Sequence, residues 1–79
     1  MDIIQYKGYD IQAVPRKLVD GGKWKININI FRHSESENKA QNFFANDVYY
    51  TREEAVKNCF QFGKQIIDGQ SPTCTVAGL

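Results

Sequence analysis

Thr51-Arg52-Glu53-Glu54-Ala55-Val56-Lys57-Asn58-Cys59-Phe60-Gln61-Phe62-Gly63-Lys64-Gln65-Ile66-Ile67-Asp68 is the stretch whose reading decides the fold. Thr51 has the side-chain oxygen of an N-cap, and Glu54, three residues on, completes a capping box. Tyr50 and Ala55 are spaced for a hydrophobic staple. On a helical wheel Phe62, Ala55, Ile66, Cys59, Gly63, Val56, Ile67 and Phe60 share one arc of about 160°, and polar residues fill the rest. Glu53 and Lys57 stand at i,i+4 in the favourable order. Gly63 lies mid-arc, where a missing side chain lets the helix approach another layer closely. Its helix-propensity penalty of about 1 kcal/mol must be offset by that contact. Gly69 supplies the stop. One amphipathic helix is therefore predicted.

Working back from the helix, the chain reads as strands. Gly8 to Pro15 opens the first and Trp24 to Phe31 forms the second. Between them Asp20-Gly21 predicts a two-residue type I′ turn. That turn sets Ile11 opposite Ile30, Ala13 opposite Ile28 and Pro15 opposite Ile26. A three-residue loop would instead set Gln12 opposite Ile30 and Arg16 opposite Ile26. A slip of one residue exchanges the two faces, so the apolar pattern selects the first register. Pro15 has no N–H and belongs on an edge strand or at a bulge, which makes the first strand an edge. His33 to Lys39 reads as a polar, Glu-rich loop, and Ala40 to Ala45 as a third strand. Phe43 and Phe44 are neighbours, so they point to opposite faces; which one is buried stays open.

The expected fold is α+β: a three-stranded antiparallel β-meander, order 1-2-3, with one C-terminal helix packed on one face (βββα). Residues 1–69 form the domain, and 70–79 a tail that is flexible or adds a short strand. The expected core sets Ile11, Ala13, Trp24, Ile26, Ile28 and Ile30 against Ala55, Val56, Cys59, Phe62, Gly63 and Ile66.

Composition narrows the function classes. The chain of 79 residues is 42% hydrophobic and 13% aromatic, too apolar for a disordered segment. A core of this length is thin. Net charge is +1, which argues against a general polyanion binder. The charge is unevenly spread, positive before Ser34 and negative after it. Cys59 and Cys74 lack metal-ligand spacing. Cys59 falls on the apolar helix arc, a disulfide is unforced, and reduced thiols in the cytoplasm are expected. Met1 to Gln5 has no signal-peptide pattern, and no apolar run is long enough for a membrane span.

Catalytic motifs are equally sparse. His33-Ser34-Glu35 matches the H-x-E of zinc deaminases, but the P-C-x-x-C that completes that site is missing. One His and two unrelated Cys make neither a nucleophile–base pair nor a zinc set. No phosphate-loop spacing of Gly occurs, and Gly21-Gly22 is accounted for by its turn. The expectation is a non-enzymatic protein with no cofactor and no metal.

What remains is the sheet face turned away from the helix. The register places Asp10, Gln12, Val14 and Arg16 beside Phe31, Asn29, Asn27 and Lys25, with one of the Phe43–Phe44 pair joining them. Gln12, Val14, Arg16, Lys25, Asn27, Asn29 and Phe31 are the candidate interaction residues. Exposed Phe beside Val14 suggests a homodimer or a protein partner. Amides with Lys25 and Arg16 suit base edges in the alternative, a DNA-binding face. A half-solvated sheet without a partner is the third reading.

The order of Gly8-Tyr9, Pro15, Gly21-Gly22, Phe43, Asp47, Thr51-Arg52-Glu53-Glu54-Ala55 and Lys64-Gln65-Ile66-Ile67-Asp68 resembles the short bacterial HlyU-type family over residues 8–68. Each motif alone is generic; their order and spacing carry the resemblance. It implies a transcription-related role and names no residues for it. Ala45-Asn46 stands where family members tend to carry Arg-Ala, so a basic group is lost.

Overall fold

A computed structural model describes residues 2–33, 38–71, 74 and 76. Its elements are β1 (Ile3–Tyr6), β2 (Tyr9–Ala13), β3 (Arg16–Lys17), β4 (Trp24–His33), β5 (Asn38–Tyr49) and α1 (Arg52–Ile67). The sheet has five antiparallel strands rather than three. β4 is central. β5 lies along one side of it, β2 and β3 lie end to end along the other, and β1 lies outside β2.

The apolar parity holds along the whole β2/β3–β4 pairing. Ile11 faces Ile30, Ala13 faces Ile28, and Arg16 faces Lys25 beyond the break at Pro15. The turn differs from the expected one. Leu18 N–H donates to Lys23 O at 2.7 Å, and Val19 to Gly22 make a four-residue loop with positive φ at Gly21 and Gly22. Two-residue and four-residue loops about the same centre leave the register unchanged, which is why parity survived a wrong turn type.

The type I′ signature sits elsewhere. Lys7 (φ 48°) and Gly8 (φ 84°) join β1 to β2, with Tyr6 opposite Tyr9. Positive φ at both central positions is what that turn demands. β1 thus replaces the first predicted strand as the edge. Pro15 nonetheless keeps an open side. Ala13 N–H bonds Asp2 O and Val14 N–H bonds Asn27 O, so by alternation the Pro15 nitrogen points past the end of β1.

β5 is longer than Ala40–Ala45 and is irregular. Lys25 faces Val48 and Asn27 faces Phe44, so Ala45, Asn46 and Asp47 stand opposite Ile26 alone. An even number of extra residues bends the strand without exchanging faces. Phe43 faces Ile28 and is buried, while Phe44 is turned to the other side, 67% exposed.

α1 matches its expected bounds. Thr51 Oγ1 accepts from Glu54 N–H at 3.1 Å. At the other end Gly69 N–H bonds Ile66 O and Gln70 N–H bonds Gln65 O, a Schellman motif with Gly69 at φ 75°. The staple does not form: Tyr50 is 77% exposed, its ring under Lys23 Nζ at 5.3 Å. Ala55, Cys59, Gly63 and Ile66 are the buried helix positions. They meet Ile11, Ala13, Ile26, Ile28, Ile30 and Phe43. Val56, Phe62 and Trp24, expected in the core, are only half-buried.

Both helix ends are tied to the β1 hairpin. Arg52 pairs with Asp2 at 2.7 Å. Asp68, the C-cap, accepts from Lys7 Nζ at 2.6 Å and from Tyr6 OH at 2.7 Å. A carboxylate is unfavourable at the negative end of a helix dipole, and these two donors offset it. Lys7 and then Tyr6 hold the Asp68 carboxyl below its usual range, and Asp68 in turn raises both the Tyr6 hydroxyl and the Lys7 amine. Neither Cys59 nor Cys74 is in a disulfide. Cys74 and Val76 pack against the core, and the rest of the predicted tail beyond Ser71 lies outside the described residues.

Candidate functional site on the open sheet face

Strand alternation turns every second residue away from α1, and register arranges those residues in four rungs. The first is Arg16, Lys25 and Val48; the second Val14, Asn27 and Phe44. The third is Ile3, Gln12, Asn29 and Asn42; the fourth Gln5, Asp10, Phe31 and Ala40. All seven candidate residues fall on this one face. Phe44, Asn42, Val48 and Ile3 join them. Phe44 and Asn42 lie in the predicted third strand, whose buried face the sequence left open, and Val48 and Ile3 lie outside the predicted strands.

The amides of the middle rungs bond to one another. Asn29 Nδ2 donates to Gln12 Oε1 at 3.3 Å. Asn42 Nδ2 donates to Asn29 Oδ1 at 3.0 Å, to Asn27 Oδ1 at 2.9 Å and to Ile28 O at 3.0 Å. Two hydrogens serve three acceptors, so at least one bond is shared. Asn27 Nδ2 closes the chain on Val14 O at 3.2 Å. Asn27 is only 6% exposed, and no described buried side-chain nitrogen or oxygen lacks a partner. Behind it, Cys59 Sγ donates to Asn27 O at 3.7 Å, and burial pushes the Cys59 thiol up. One residue thus joins the helix layer to the open face.

A groove of about 330 Å³ runs beside this ladder, lined by Arg16, Lys25, Ile26, Asn27, Asn42 and Phe44. Phe44 forms one wall of it, and Val48 (41% exposed) and Val14 (37%) lie on the same face outside its lining. Cations occupy one end and Asp10 the other. The face therefore combines exposed apolar groups, a self-satisfied amide ladder and a charge gradient along the strands.

Other chemistry is limited. Among the described residues no cluster of three or more His, Cys, Asp or Glu could hold a metal ion. Ser34 to Glu37 of the predicted loop, and with them most of the H-x-E triplet, lie outside the described residues. No described helix is long and apolar enough to cross a membrane.

Comparison with known proteins agrees with the order of motifs. Neither the curated proteins nor the solved structures yield a match. A family model described as transcriptional activator HlyU matches residues 1–74, which span all five strands and α1. The chain belongs to the HlyU family.

Proposed function

We propose that this protein is a small non-enzymatic module of transcription regulation, working in the cytoplasm, that docks a protein partner on its open sheet face. One observation carries the reading: Phe44, Val14 and Val48 are exposed on one face whose amides are occupied with one another. An exposed aromatic flanked by aliphatic groups gains most when a partner removes it from water. The face otherwise offers two cations and amides, which suit recognition rather than bond-making.

Duplex DNA is the second reading. It is favoured by the family's description and by Arg16 and Lys25 side by side on the first rung. Base reading by Asn needs an amide free to present both its donor and its acceptor to adenine. Asn27 is buried and its amide is engaged on both sides, so it is poorly placed for that task. Phosphate contacts by Arg16 and Lys25 would remain.

A ¹⁵N–¹H spectrum recorded with a mixed-sequence DNA duplex at low salt separates the two. Protein docking predicts an unchanged spectrum. Shifts on Gln12, Lys25, Asn27 and Asn29 that vanish as salt is added would replace it with the nucleic-acid reading.

A further inference from the structure

Arg16 and Lys25 stand directly opposite one another on β3 and β4. Val14 N–H bonds Asn27 O before this pair and Leu18 N–H bonds Lys23 O after it. By alternation Arg16 and Lys25 are also a closely bonded pair, with Cα atoms about 5.5 Å apart. Like charges directly opposed across a sheet destabilise it. Several cations elsewhere have partners: Lys7 and Arg52 pair with Asp68 and Asp2, and Lys17, Lys23 and Lys64 lie over the rings of Trp24, Tyr50 and Tyr6. Among the described residues the side chains of Arg16 and Lys25 have no acid, ring or hydrogen-bond partner. The groove that they line with Ile26, Asn27, Asn42 and Phe44 contains no carboxylate, and Lys25 is half-buried there. The carboxamide oxygen of Asn27 is already taken by Asn42. Two uncompensated positive charges are thus held together at a cost to the fold.

We propose that Arg16 and Lys25 form a subsite for a carboxylate of the protein partner, an Asp or Glu side chain whose apolar neighbour lies on Phe44. This subsite rests on the docking role proposed above and names the partner's chemistry. A guanidinium fork can grip both oxygens of a carboxylate, and the ammonium beside it adds a further charge-assisted donor. Phe44 stands on the next rung, opposite Asn27, two residues along the strands and roughly 7 Å away. An extended segment sets residues i and i+2 on one side at that same spacing. An acidic residue two positions from a large apolar one therefore reaches both contacts. Phosphates of a duplex match less well. They recur along the backbone and call for cations that recur with them, whereas the second rung here is Val14, Asn27 and Phe44. One cationic rung beside an exposed aromatic selects a single anion with an apolar group attached.

Titration of the full chain with the blocked peptides acetyl-Glu-Ser-Phe-amide and acetyl-Gln-Ser-Phe-amide, followed by ¹⁵N–¹H spectra, tests it. Both peptides should shift Phe44. The Glu peptide should also shift Lys25 and bind roughly fivefold tighter. Arg16→Gln and Lys25→Gln together should erase that preference, while Phe44→Ser should weaken both peptides alike. Lys25→Glu gives a second reading that needs no ligand. It converts the like-charge pair into an opposite one and should raise the melting temperature by roughly 2–6 °C. A lower melting temperature overturns the claim that the two cations strain the fold. Equal affinity for the two peptides, or no shift from either up to about 20 mM, overturns the carboxylate subsite and leaves the docking role standing. That role falls to the DNA titration instead: salt-sensitive shifts with the duplex, and no preference for Glu, assign both cations to phosphate and overturn the two together.

Discussion

Gly63 of α1 lies directly over Ile11 of β2, so close that a Cβ added at Gly63 would come 2.7 Å from Ile11 Cγ2 and 2.9 Å from Cδ1. Ile11 is fully buried and β-branched, and its Cγ2 can swing clear only by a χ1 rotation that carries Cγ1 and Cδ1 with it into the packed core. The helix is held at this distance by the absence of one methyl group.

Gly63→Ala is therefore expected to destabilise. Overpacking costs about 1–3 kcal/mol, against a helix-propensity gain of about 1 kcal/mol, for a net loss on the order of 1 kcal/mol. Urea unfolding measures it. In an Ile11→Ala background the clash is gone and the same substitution should become neutral or stabilising, a coupling that a double-mutant cycle resolves.

Asn27→Ala should cost about 1–3 kcal/mol, because Val14 O loses its side-chain donor and Asn42 loses an acceptor. Asn29→Ala removes a more exposed link of the same ladder and should cost less. Equal losses in thermal denaturation would contradict the ranking by burial.

The Asp68 cluster predicts a pH dependence. Lys7 and then Tyr6 lower the Asp68 pKa in the fold. The contribution is thus fully present above the unfolded carboxyl value, near 3.9, and fades as pH falls through the lower folded value. Tyr6 and Lys7 are raised by Asp68, so their contribution is present below roughly pH 10 and is lost as pH rises through their folded values. Wild type should melt higher than Asp68→Asn between these limits and converge with it at both extremes. Parallel melting curves across the whole range would rule out this linkage.

Thr51→Ala removes the acceptor for Glu54 N–H and should cost about 1 kcal/mol. Tyr50→Ala, at a residue that forms no staple, should cost less than half of that. Chemical denaturation of the two variants side by side is the check.

Much of this architecture is legible in the chain, for local reasons. Caps and the apolar arc set α1, and the alternation of Ile26, Ile28 and Ile30 with Asn27 and Asn29 sets the β2–β4 register. What escaped depended on distant partners. β1 was missed because Lys7-Gly8 lacks the Asn or Asp that usually marks a type I′ turn; the apolar pair Ile4 and Tyr6 mirroring Tyr9 and Ile11 was the available signal. β5 runs on through Asn46 and Asp47, residues depleted in strands, because Trp24 and Lys25 supply partners for Tyr49 and Val48. The same pairing decides Phe43 over Phe44. The seven candidate residues share a face as expected, but the ladder that binds their amides needed Asn42, which only β5 delivers.

The central claim is that the open face docks protein rather than DNA, with Phe44 exposed on it. The ¹⁵N–¹H titration of the full chain with a mixed-sequence duplex at low salt addresses it most directly. The account predicts a spectrum that does not change. Shifts on Gln12, Lys25, Asn27 and Asn29 that vanish as salt is added would contradict it.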